Sequence, residues 1–313
     1  MIILITGAGG FLGSNLVQFL NNKEEIEKII SIGRTNLKRE KFKKENFYSI
    51  DLLETQSIDG LVSYYKPEWI FDLASIVGGF KFLNSQSALI MNKSTIMNLN
   101  VLEAARKNDV KKILFASSAC VYPSIDKGLF IEEDAYPINP ENPYGLQKIF
   151  MENIYKEYQK TYGIEVYLPR FQNIYGPFIQ FEGERAKGLA DICRKVMLAK
   201  DEIELYGDGN QVRDYTYSED AIEGVWKLIN SNIYEPINIS SGEAITIDEY
   251  AKEIIHVLNK NIKVNYTMKK DTGVSYRVSS NVKAIKFLKW APITSLEDGI
   301  RKMTDWMKDE MKI

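Results

Sequence analysis

The chain has 313 residues, of which 45% are hydrophobic, and a formal net charge of −2. Its 40 basic and 42 acidic residues leave no basic excess, which argues against a nucleic-acid partner. No apolar stretch approaches the roughly 20 residues of a membrane span, and the first strand starts at residue 1 without the basic segment of a signal peptide. The composition therefore predicts a cytoplasmic protein with a large core and no membrane partner.

Few metal-binding side chains are present. The chain has one histidine, His256, and two cysteines, Cys120 and Cys193, which are too few for a conventional zinc site or a disulfide framework. His256 falls in a helical pattern near the C-terminus, and Cys193 lies on the apolar side of a predicted helix. We interpret both as structural residues and predict no metal site.

The N-terminus carries the pattern of a dinucleotide-binding turn. Residues 2–5 form an apolar, branched run typical of a buried parallel strand, and a helix is predicted after the glycines that follow. In such a turn Gly7 allows the tight bend, Gly10 lets the backbone approach a pyrophosphate, and Gly13 lets the helix pack on the strand. The helix N-terminus would then face the phosphate charge.

Strands and helices alternate through the first half of the chain. Further strands are predicted at residues 28–32, 69–73, 112–116 and 165–168. Long helices are predicted at residues 87–108 and 142–162. This alternation predicts an α/β fold, namely a Rossmann-type doubly wound parallel sheet with helices on both faces.

The pattern changes after about residue 171, where we predict a smaller C-terminal substrate-binding lobe. A turn is predicted at residues 173–177, a polar loop at 178–187, a strand at 237–240 and a capped helix at 246–259. The predicted dinucleotide-binding domain comprises residues 1–170 plus about 214–243. The predicted substrate-binding domain comprises about 171–213 plus 244–313.

The strand predicted at residues 112–116 is followed by a hydroxyl and a thiol, Ser118 and Cys120. The helix predicted at 142–162 opens with a phenol and an ammonium, Tyr144 and Lys148. Positions four apart share a helix face, so Lys148 is expected to lie over Tyr144 and to lower the pKa of its phenol. Tyr144 would then accept a proton from a sugar hydroxyl while a nicotinamide accepts the hydride. The spacing alone is also typical of an ordinary helix surface, and its position after the dinucleotide motif favours catalysis.

Several motifs together resemble the extended short-chain dehydrogenase/reductase family of nucleotide-sugar enzymes, over essentially the whole chain. They are Ser-Ser-Ala-Cys-Val-Tyr-Pro at 117–123, the Tyr144 and Lys148 pair, Asn-Ile-Tyr-Gly-Pro at 173–177, Cys-Arg-Lys at 193–195 and Gly-Asp-Gly-Asn-Gln-Val-Arg at 207–213. Within the family the motifs are most similar to those of the GDP-mannose 3,5-epimerases, and less so to those of the GDP-fucose synthases.

The resemblance implies a role for residues in three groups. Ser118, Tyr144 and Lys148 would form the hydride-transfer triad. The cofactor would contact Gly7, Gly10, Phe11, Leu12, Gly13, Arg34, Asp51, Leu52, Leu73, Ala74 and Ser75, together with Tyr144 and Lys148. The sugar nucleotide would contact Gly78, Ser118, Asn173, Lys195, Gln211, Arg213 and Arg277, with Lys195 and the two arginines on its diphosphate.

The same resemblance makes Cys120 and Lys187 the acid and base of an epimerisation. Oxidation at C4 acidifies the hydrogens on C3 and C5, so one group can remove such a proton and the other can return it on the opposite face. Without the resemblance, the residues favour a buried packing role for Cys120 and an ordinary loop position for Lys187.

The sequence favours NAD over NADP by a narrow margin. NAD-selective members carry an acid at the end of the second strand, whereas residues 32–36 contain none and Arg34 suits a 2′-phosphate. An enzyme that oxidises its substrate first generally uses NAD, which is our prediction.

The predicted activity is therefore NAD(P)-dependent oxidation at C4 of a GDP-manno-type sugar, within a 3,5-epimerase. The alternative is a net C4 dehydrogenase in surface polysaccharide biosynthesis. Its substrate would be GDP-mannose or, because residues 275–280 depart from the epimerase pattern, a GDP-manno-heptose. An alternative of another class is a non-catalytic nucleotide-binding sensor or scaffold. The two long helices resemble those that pair subunits in this family, which predicts a homo-oligomer.

Overall fold

The computed structural model describes residues 1–34, 42–183, 185–268 and 273–313. Its strands are β1 (Ile2–Thr6), β2 (Lys28–Gly33), β3 (Glu45–Ser49), β4 (Trp69–Asp72), β5 (Lys112–Phe115), β6 (Ser117–Ser118), β7 (Glu165–Tyr167), β8 (Pro169–Phe171), β9 (Asn173–Tyr175), β10 (Glu202–Tyr206), β11 (Val212–Arg213), β12 (Tyr215–Tyr217), β13 (Ile237–Ile239), β14 (Ile245–Thr246), β15 (Lys263–Thr267) and β16 (Tyr276–Arg277). Its helices are α1 (Phe11–Asn21), α2 (Thr55–Tyr65), α3 (Phe80–Ser85), α4 (Ser87–Lys107), α5 (Pro143–Tyr162), α6 (Gly188–Leu198), α7 (Ser218–Ile229), α8 (Ile247–Val257) and α9 (Leu296–Met311).

Six strands form the central sheet in the order β3-β2-β1-β4-β5-β7, and every neighbouring pair is parallel. The chain order reverses between β1 and β4, which lie side by side. A crevice opens at the carboxyl ends of the strands at such a reversal, and ligands bind there in open α/β sheets. The predicted doubly wound sheet is confirmed.

Helices cover both faces of this sheet because its strands bury apolar side chains on both sides. On one face, Ile58 of α2, Val101 of α4 and Met151 of α5 pack into one buried cluster. On the other face, Leu16 of α1 and Val225 of α7 pack into a second cluster. Burying such side chains is the main source of stability for the fold, at about 25 cal/mol per Å² of apolar surface.

The later part of the chain adds shorter sheets and a third buried cluster. Strands β13, β8 and β6 form a parallel three-stranded sheet, β9 pairs with β12, β10 with β15, and β11 lies between β14 and β16. Helices α6, α8 and α9 pack together through residues such as Val196, Ile254 and Met303. The division into two domains at the predicted boundaries stays a prediction.

The structure corrects one predicted element and adds others. The turn predicted at 173–177 is wrong at its start, because residues 173–175 form β9 and pair with β12; the bend comes at Gly176, where φ is +142°. Strand β3 and helix α2 were not predicted from the sequence. Over the described ranges, no helix is both long and apolar enough to cross a membrane.

Candidate active site

One cleft of about 670 Å³ lies at the carboxyl ends of β1, β4 and β5 and extends to β11 and β16. It brings together residues from distant parts of the chain that the sequence assigned to three separate roles. Its lining includes Gly7, Gly10, Phe11, Leu12, Gly13, Arg34, Asp51, Leu52, Leu73, Ala74, Ser75, Gly78, Ser118, Cys120, Tyr144, Lys148, Asn173, Lys187, Lys195, Gln211, Arg213 and Arg277. The predicted candidate residues therefore share one site, while the role of each stays a prediction.

The glycine turn between β1 and α1 has the shape that a dinucleotide requires. Gly7 has a φ of +64°, which other residues rarely adopt. A Cβ at Gly13 would lie 2.3 Å from the carbonyl oxygen of Gly7, so α1 packs against the turn only because that side chain is absent. The N-cap, Gly10, offers no side-chain hydrogen bond to the first turn of α1, which leaves backbone N–H groups facing the cleft. These residues fit a bound pyrophosphate.

A buried polar network fixes the ends of β1 and β4 beneath this turn. Thr6 Oγ1 donates to Asp72 Oδ1 at 2.6 Å and accepts from the backbone N–H of Ala74 at 3.1 Å. The other carboxylate oxygen of Asp72 accepts from Asn98 at 2.8 Å and from Tyr155 at 2.7 Å. Burial raises the pKa of Asp72, and its three hydrogen bonds hold the strand end from which residues 73–75 run along the cleft.

The far end of the cleft would receive the adenosine half of the cofactor. Leu52 is buried there, and Asp51 accepts from the backbone N–H of Leu53 at 3.0 Å, which shapes the turn after β3. Arg34 follows β2 and lines the cleft, while Thr35 and Asn36 of the predicted cofactor-selecting segment lie outside the described residues.

Helix α5 presents Tyr144 and Lys148 to the middle of the cleft. The helix begins at Pro143, and the side chain of Asn142 caps it by accepting from the backbone N–H of Gly145 at 2.9 Å. A Cβ on Gly145 would lie 1.8 Å from the carbonyl oxygen of Cys120, so this glycine permits α5 to approach the turn that carries the thiol. Both Tyr144 and Lys148 are buried.

Burial, more than mutual attraction, controls the protonation of this pair. The pKa of Lys148 falls to about 8 because the buried ammonium loses hydration, although Asp72 and Glu152 oppose the shift. Its Nζ lies 5.6 Å from the centre of the Tyr144 ring and donates to the carbonyl oxygen of Ala116 at 2.8 Å.

The expectation that Lys148 lowers the pKa of Tyr144 is wrong for this structure. Burial raises the pKa of Tyr144 above its ordinary value, because a phenolate is poorly solvated there, and the thiol side chain of Cys120 adds to the rise. The nearby hydroxyl groups of Ser75 and Ser118 oppose it. Tyr144 is therefore a phenol in this structure, and it can act as a base only when further positive charge or hydrogen-bond donors enter the cleft.

Cys120 lies in a short 3₁₀ turn directly after β6, where Ser118 caps the turn by accepting from the backbone N–H of Cys120 at 3.2 Å. Arg277 Nη1 approaches Cys120 Sγ to 3.3 Å. The same guanidinium donates through Nη2 to Glu141 Oε2 at 2.7 Å. Cys120 is thus a half-buried thiol beside a guanidinium.

Lys187 reaches the same space from the segment before α6. Its Nζ donates to the carbonyl oxygen of Gly78 at 3.4 Å. Burial lowers the pKa of Lys187, and the charge of Cys120 opposes the shift, so the two side chains are close enough to influence each other. Gly79 permits this placement, because a Cβ there would lie 2.7 Å from the carbonyl oxygen of Ala186.

The residues assigned to the substrate line the remaining wall of the cleft. Asn173 donates to the backbone oxygen of Asp214 at 3.0 Å, and Lys195 pairs with Asp191 at 3.0 Å. Arg213 donates to the carbonyl oxygens of Val212 and Val274 at 2.7 and 2.6 Å. Gln211 is buried, and its Oε1 has no hydrogen-bond partner among the described residues. These side chains form a polar wall with two arginines side by side on β11 and β16.

Two groups at the site were missed by sequence reasoning. Asp72 was included only as part of a strand, and its partners come from positions 6, 98 and 155. Glu141 immediately precedes Asn142, the cap of α5, and no motif in the sequence around it indicates a contact with Arg277, 136 positions away. Only the folded chain shows such pairings.

A doubly wound sheet with a glycine turn, and a Ser-Tyr-Lys set facing the same cleft, define a nucleotide-dependent enzyme of the short-chain dehydrogenase type. Residues 3–240 match the NAD dependent epimerase/dehydratase family. The chain is also 36% identical to GDP-mannose 3,5-epimerase 1 of Oryza sativa subsp. indica, over 99% of this chain and 82% of that protein. The chain belongs to the NAD dependent epimerase/dehydratase family.

Solved structures agree with this assignment. UDP-glucose 4-epimerase of Thermotoga maritima, solved with UDP-glucose, superimposes with a TM-score of 0.90 at 25% identity, over 99% of this chain and all of that one. UDP-glucose 4-epimerase of Thermus thermophilus, solved with NAD, gives a TM-score of 0.87 at 26% identity, over 98% and 99% of the two chains. The expected family and fold are confirmed, the protein is an enzyme, and its cofactor is NAD.

Proposed function

We propose that the protein is a nucleotide-sugar 3,5-epimerase that oxidises C4 of a GDP-manno-type sugar transiently. The observation that carries the proposal is the placement of Cys120 and Lys187 in the cleft that also holds Ser118, Tyr144 and Lys148. The similarity to GDP-mannose 3,5-epimerases over nearly the whole chain supports the choice of sugar nucleotide.

The first step is oxidation at C4. Tyr144, once ionised to the phenolate, accepts the proton of the C4 hydroxyl group, and the hydroxyl group of Ser118 donates a hydrogen bond to the same oxygen. Bound NAD would supply the hydride acceptor and, in its oxidised form, additional positive charge in the cleft. Lys148, whose pKa of about 8 leaves it charged at neutral pH, does not alone overcome the effect of burial on Tyr144, and its charge would add to that of the cofactor.

The second step inverts carbon centres next to the new ketone. The C4 carbonyl acidifies the hydrogens on C3 and C5, so a weak base can remove them. Lys187, whose pKa is lowered by burial, and Cys120 lie near one another and are chemically suited to act as the base and the acid on opposite faces of the ring. Returning the hydride to C4 then completes an epimerisation without net redox change.

The polar wall of the cleft suits the diphosphate and the nucleoside. Lys195 and Arg213 carry fixed positive charge there, and their present partners are the carboxylate of Asp191 and backbone carbonyl oxygens. Arg277 adds a second guanidinium beside Arg213. Such a set can bind a diphosphate through charge-assisted hydrogen bonds.

The test is proton NMR of GDP-mannose incubated in D₂O with wild-type enzyme and with Cys120→Ala and Lys187→Ala. We expect deuterium at C3 or C5 with the wild type and a large loss of exchange with both variants. Bound GDP-mannose that acquires no deuterium would contradict the epimerase. Each variant is checked for NAD binding, so that a misfolded protein is recognised.

A second candidate is net C4 oxidation of a larger manno-type sugar nucleotide, such as a GDP-manno-heptose. It is favoured by Ser275 and Tyr276, which stand beside Arg277 where the epimerase pattern differs. In that reaction the keto sugar leaves and reduced nicotinamide accumulates. Tighter binding of a GDP-heptose than of GDP-mannose, with one reduced nicotinamide formed per sugar, would select this candidate; weaker binding of the heptose would remove it.

We also propose that two copies of the chain pair through α4 and α5. These helices pack on each other and still expose Leu89, Ile96, Leu146 and Phe150. Joining these faces in two copies would bury them in a four-helix bundle. Light scattering after gel filtration should give a dimer or a higher oligomer, and Phe150→Glu should shift it toward the monomer; a monomeric wild type would contradict the pairing.

A further inference from the structure

Cys120 is surrounded by basic side chains from three parts of the chain. Arg277 of β16 contacts its sulfur at 3.3 Å. Lys148 of α5, Lys187 of the segment before α6 and Tyr144 of α5 line the same cleft as Cys120. Arg213 stands beside Arg277 across the β11–β16 pairing. A guanidinium in contact with a thiol is a setting that stabilises the thiolate form.

A cysteine that must return a proton needs to hold that proton at the working pH. General acid–base groups are most efficient when their pKa lies near the operating pH. A thiol beside an unpaired guanidinium is stabilised as the thiolate, which can serve only as a base. A carboxylate paired with that guanidinium would offset part of its positive charge.

Glu141 supplies a negative charge at the right place. Its Oε2 accepts from Arg277 Nη2 at 2.7 Å, and the two side chains are only 23% and 11% exposed. Arg277 thus divides its two terminal nitrogens between a carboxylate and the thiol. Burial lowers the pKa of Arg213, and the carboxylate of Glu141 partly offsets that shift.

We propose that Glu141 is the counter-charge of Arg277 and that, through Arg277, it keeps Cys120 protonated enough to act as an acid. Glu141 is in this sense a positioning residue, because it does not contact the thiol in the described structure. The inference rests on the proposed function, which gives Cys120 its proton-transfer role.

The experiment measures the rate of alkylation of Cys120 by iodoacetamide as a function of pH, with peptide mapping of the modified residue. Only a thiolate reacts, so the midpoint of the rate profile reports the protonation of Cys120. Cys193 is fully buried and serves as an internal reference. Neither substrate nor cofactor is needed.

Glu141→Gln is the informative substitution because glutamine still accepts a hydrogen bond from Arg277 but carries no charge. We expect the midpoint to fall, with alkylation at pH 7 about threefold to tenfold faster than in wild type. Arg277→Gln should shift the midpoint upward. In the Glu141→Gln/Arg277→Gln double variant the effect of the first substitution should largely vanish.

Glu141→Asp keeps the charge and should alkylate like the wild type, which separates charge from packing. An unchanged midpoint in Glu141→Gln would overturn the inference. The inference would also fail if Glu141→Gln shifted the midpoint as much in the Arg277→Gln variant as in the wild type, because Glu141 would then act on the thiol directly. Since alkylation needs no sugar, the absence of deuterium exchange with GDP-mannose would count against the proposed function and leave this result standing.

Discussion

Two arginine–glutamate pairs lie within the same active-site region and differ in how completely they are bonded. Arg170 and Glu152 are both fully buried: Nε and Nη2 of Arg170 donate to the two carboxylate oxygens at 2.9 and 2.7 Å. Its Nη1 donates to Tyr122 and to the carbonyl oxygen of Glu132. Ser117 donates to the same carboxylate.

Arg277 and Glu141 form only one hydrogen bond at the edge of the cleft. The other terminal nitrogen of Arg277 faces Cys120, and its Nε has no partner among the described residues. The saturated pair has no capacity left for a ligand, so it locks α5 to β8 beneath the site. The unsaturated pair retains donors and charge that chemistry can use. Completeness of bonding thus separates a structural ion pair from one that can take part in catalysis.

The largest effect is expected for the phenol at the reacting end of the cleft. Tyr144→Phe should reduce turnover by about 10²–10⁴-fold, because it removes the base of the C4 step. Its matched control is Tyr158→Phe on the same helix, which removes a hydroxyl bonded to Glu103 at 3.2 Å. Steady-state rates and NAD binding should be measured for both. Equal losses in the two variants would contradict a chemical role for Tyr144.

The two ion pairs should respond differently to the same substitution. Glu152→Gln should lower the free energy of unfolding by about 3–5 kcal/mol, because Arg170 keeps a buried charge without a counter-ion. Glu141→Gln should change it by less than about 1 kcal/mol, since its pair lies at the edge of the cleft and the hydrogen bond is kept. Urea unfolding monitored by circular dichroism decides this, and similar losses would break the distinction.

Lys148 should make stability depend on pH in a defined direction. Its pKa is about 8 in the folded protein against 10.5 for an unperturbed lysine, so the unfolded chain holds the proton more tightly. Below pH 8 the fold carries the cost of a buried ammonium; that cost is removed as pH rises from about 8 to 10.5. Relative to Lys148→Met, the wild type should gain on the order of 1–3 kcal/mol over this window. A constant difference between the two proteins would refute the assignment.

The smallest change is expected at a glycine on a helix surface, and a glycine of the cleft provides its contrast. Gly60→Ala in α2 meets no atom within 4 Å and should stabilise the protein by about 0.5–1 kcal/mol. Gly13→Ala places a methyl group against the Gly7 carbonyl oxygen and should abolish NAD binding. Thermal unfolding and cofactor titration measure the pair; a Gly13→Ala protein that binds NAD normally would show that the turn tolerates the clash.

The sequence predicted the sheet and the cleft because both depend on local patterns. The glycine turn, the branched strands and the Tyr144–Lys148 spacing are each contained in a few neighbouring residues. The bonding around Asp72, the contact of Glu141 with Arg277 and the direction of the Tyr144 pKa depend on burial and on residues far apart in the chain. Strand β9 was missed because its Asn and the Gly-Pro that follows are typical of turns, whereas pairing with β12 decides its conformation.

The most direct test of the account uses GDP-mannose labelled with deuterium at C4. If C4 is oxidised only transiently, the label should return to C4 of the epimerised products, with no accumulation of reduced nicotinamide. If the label is instead recovered on the nicotinamide while a keto sugar is released, the protein is a net dehydrogenase and the epimerase account is contradicted.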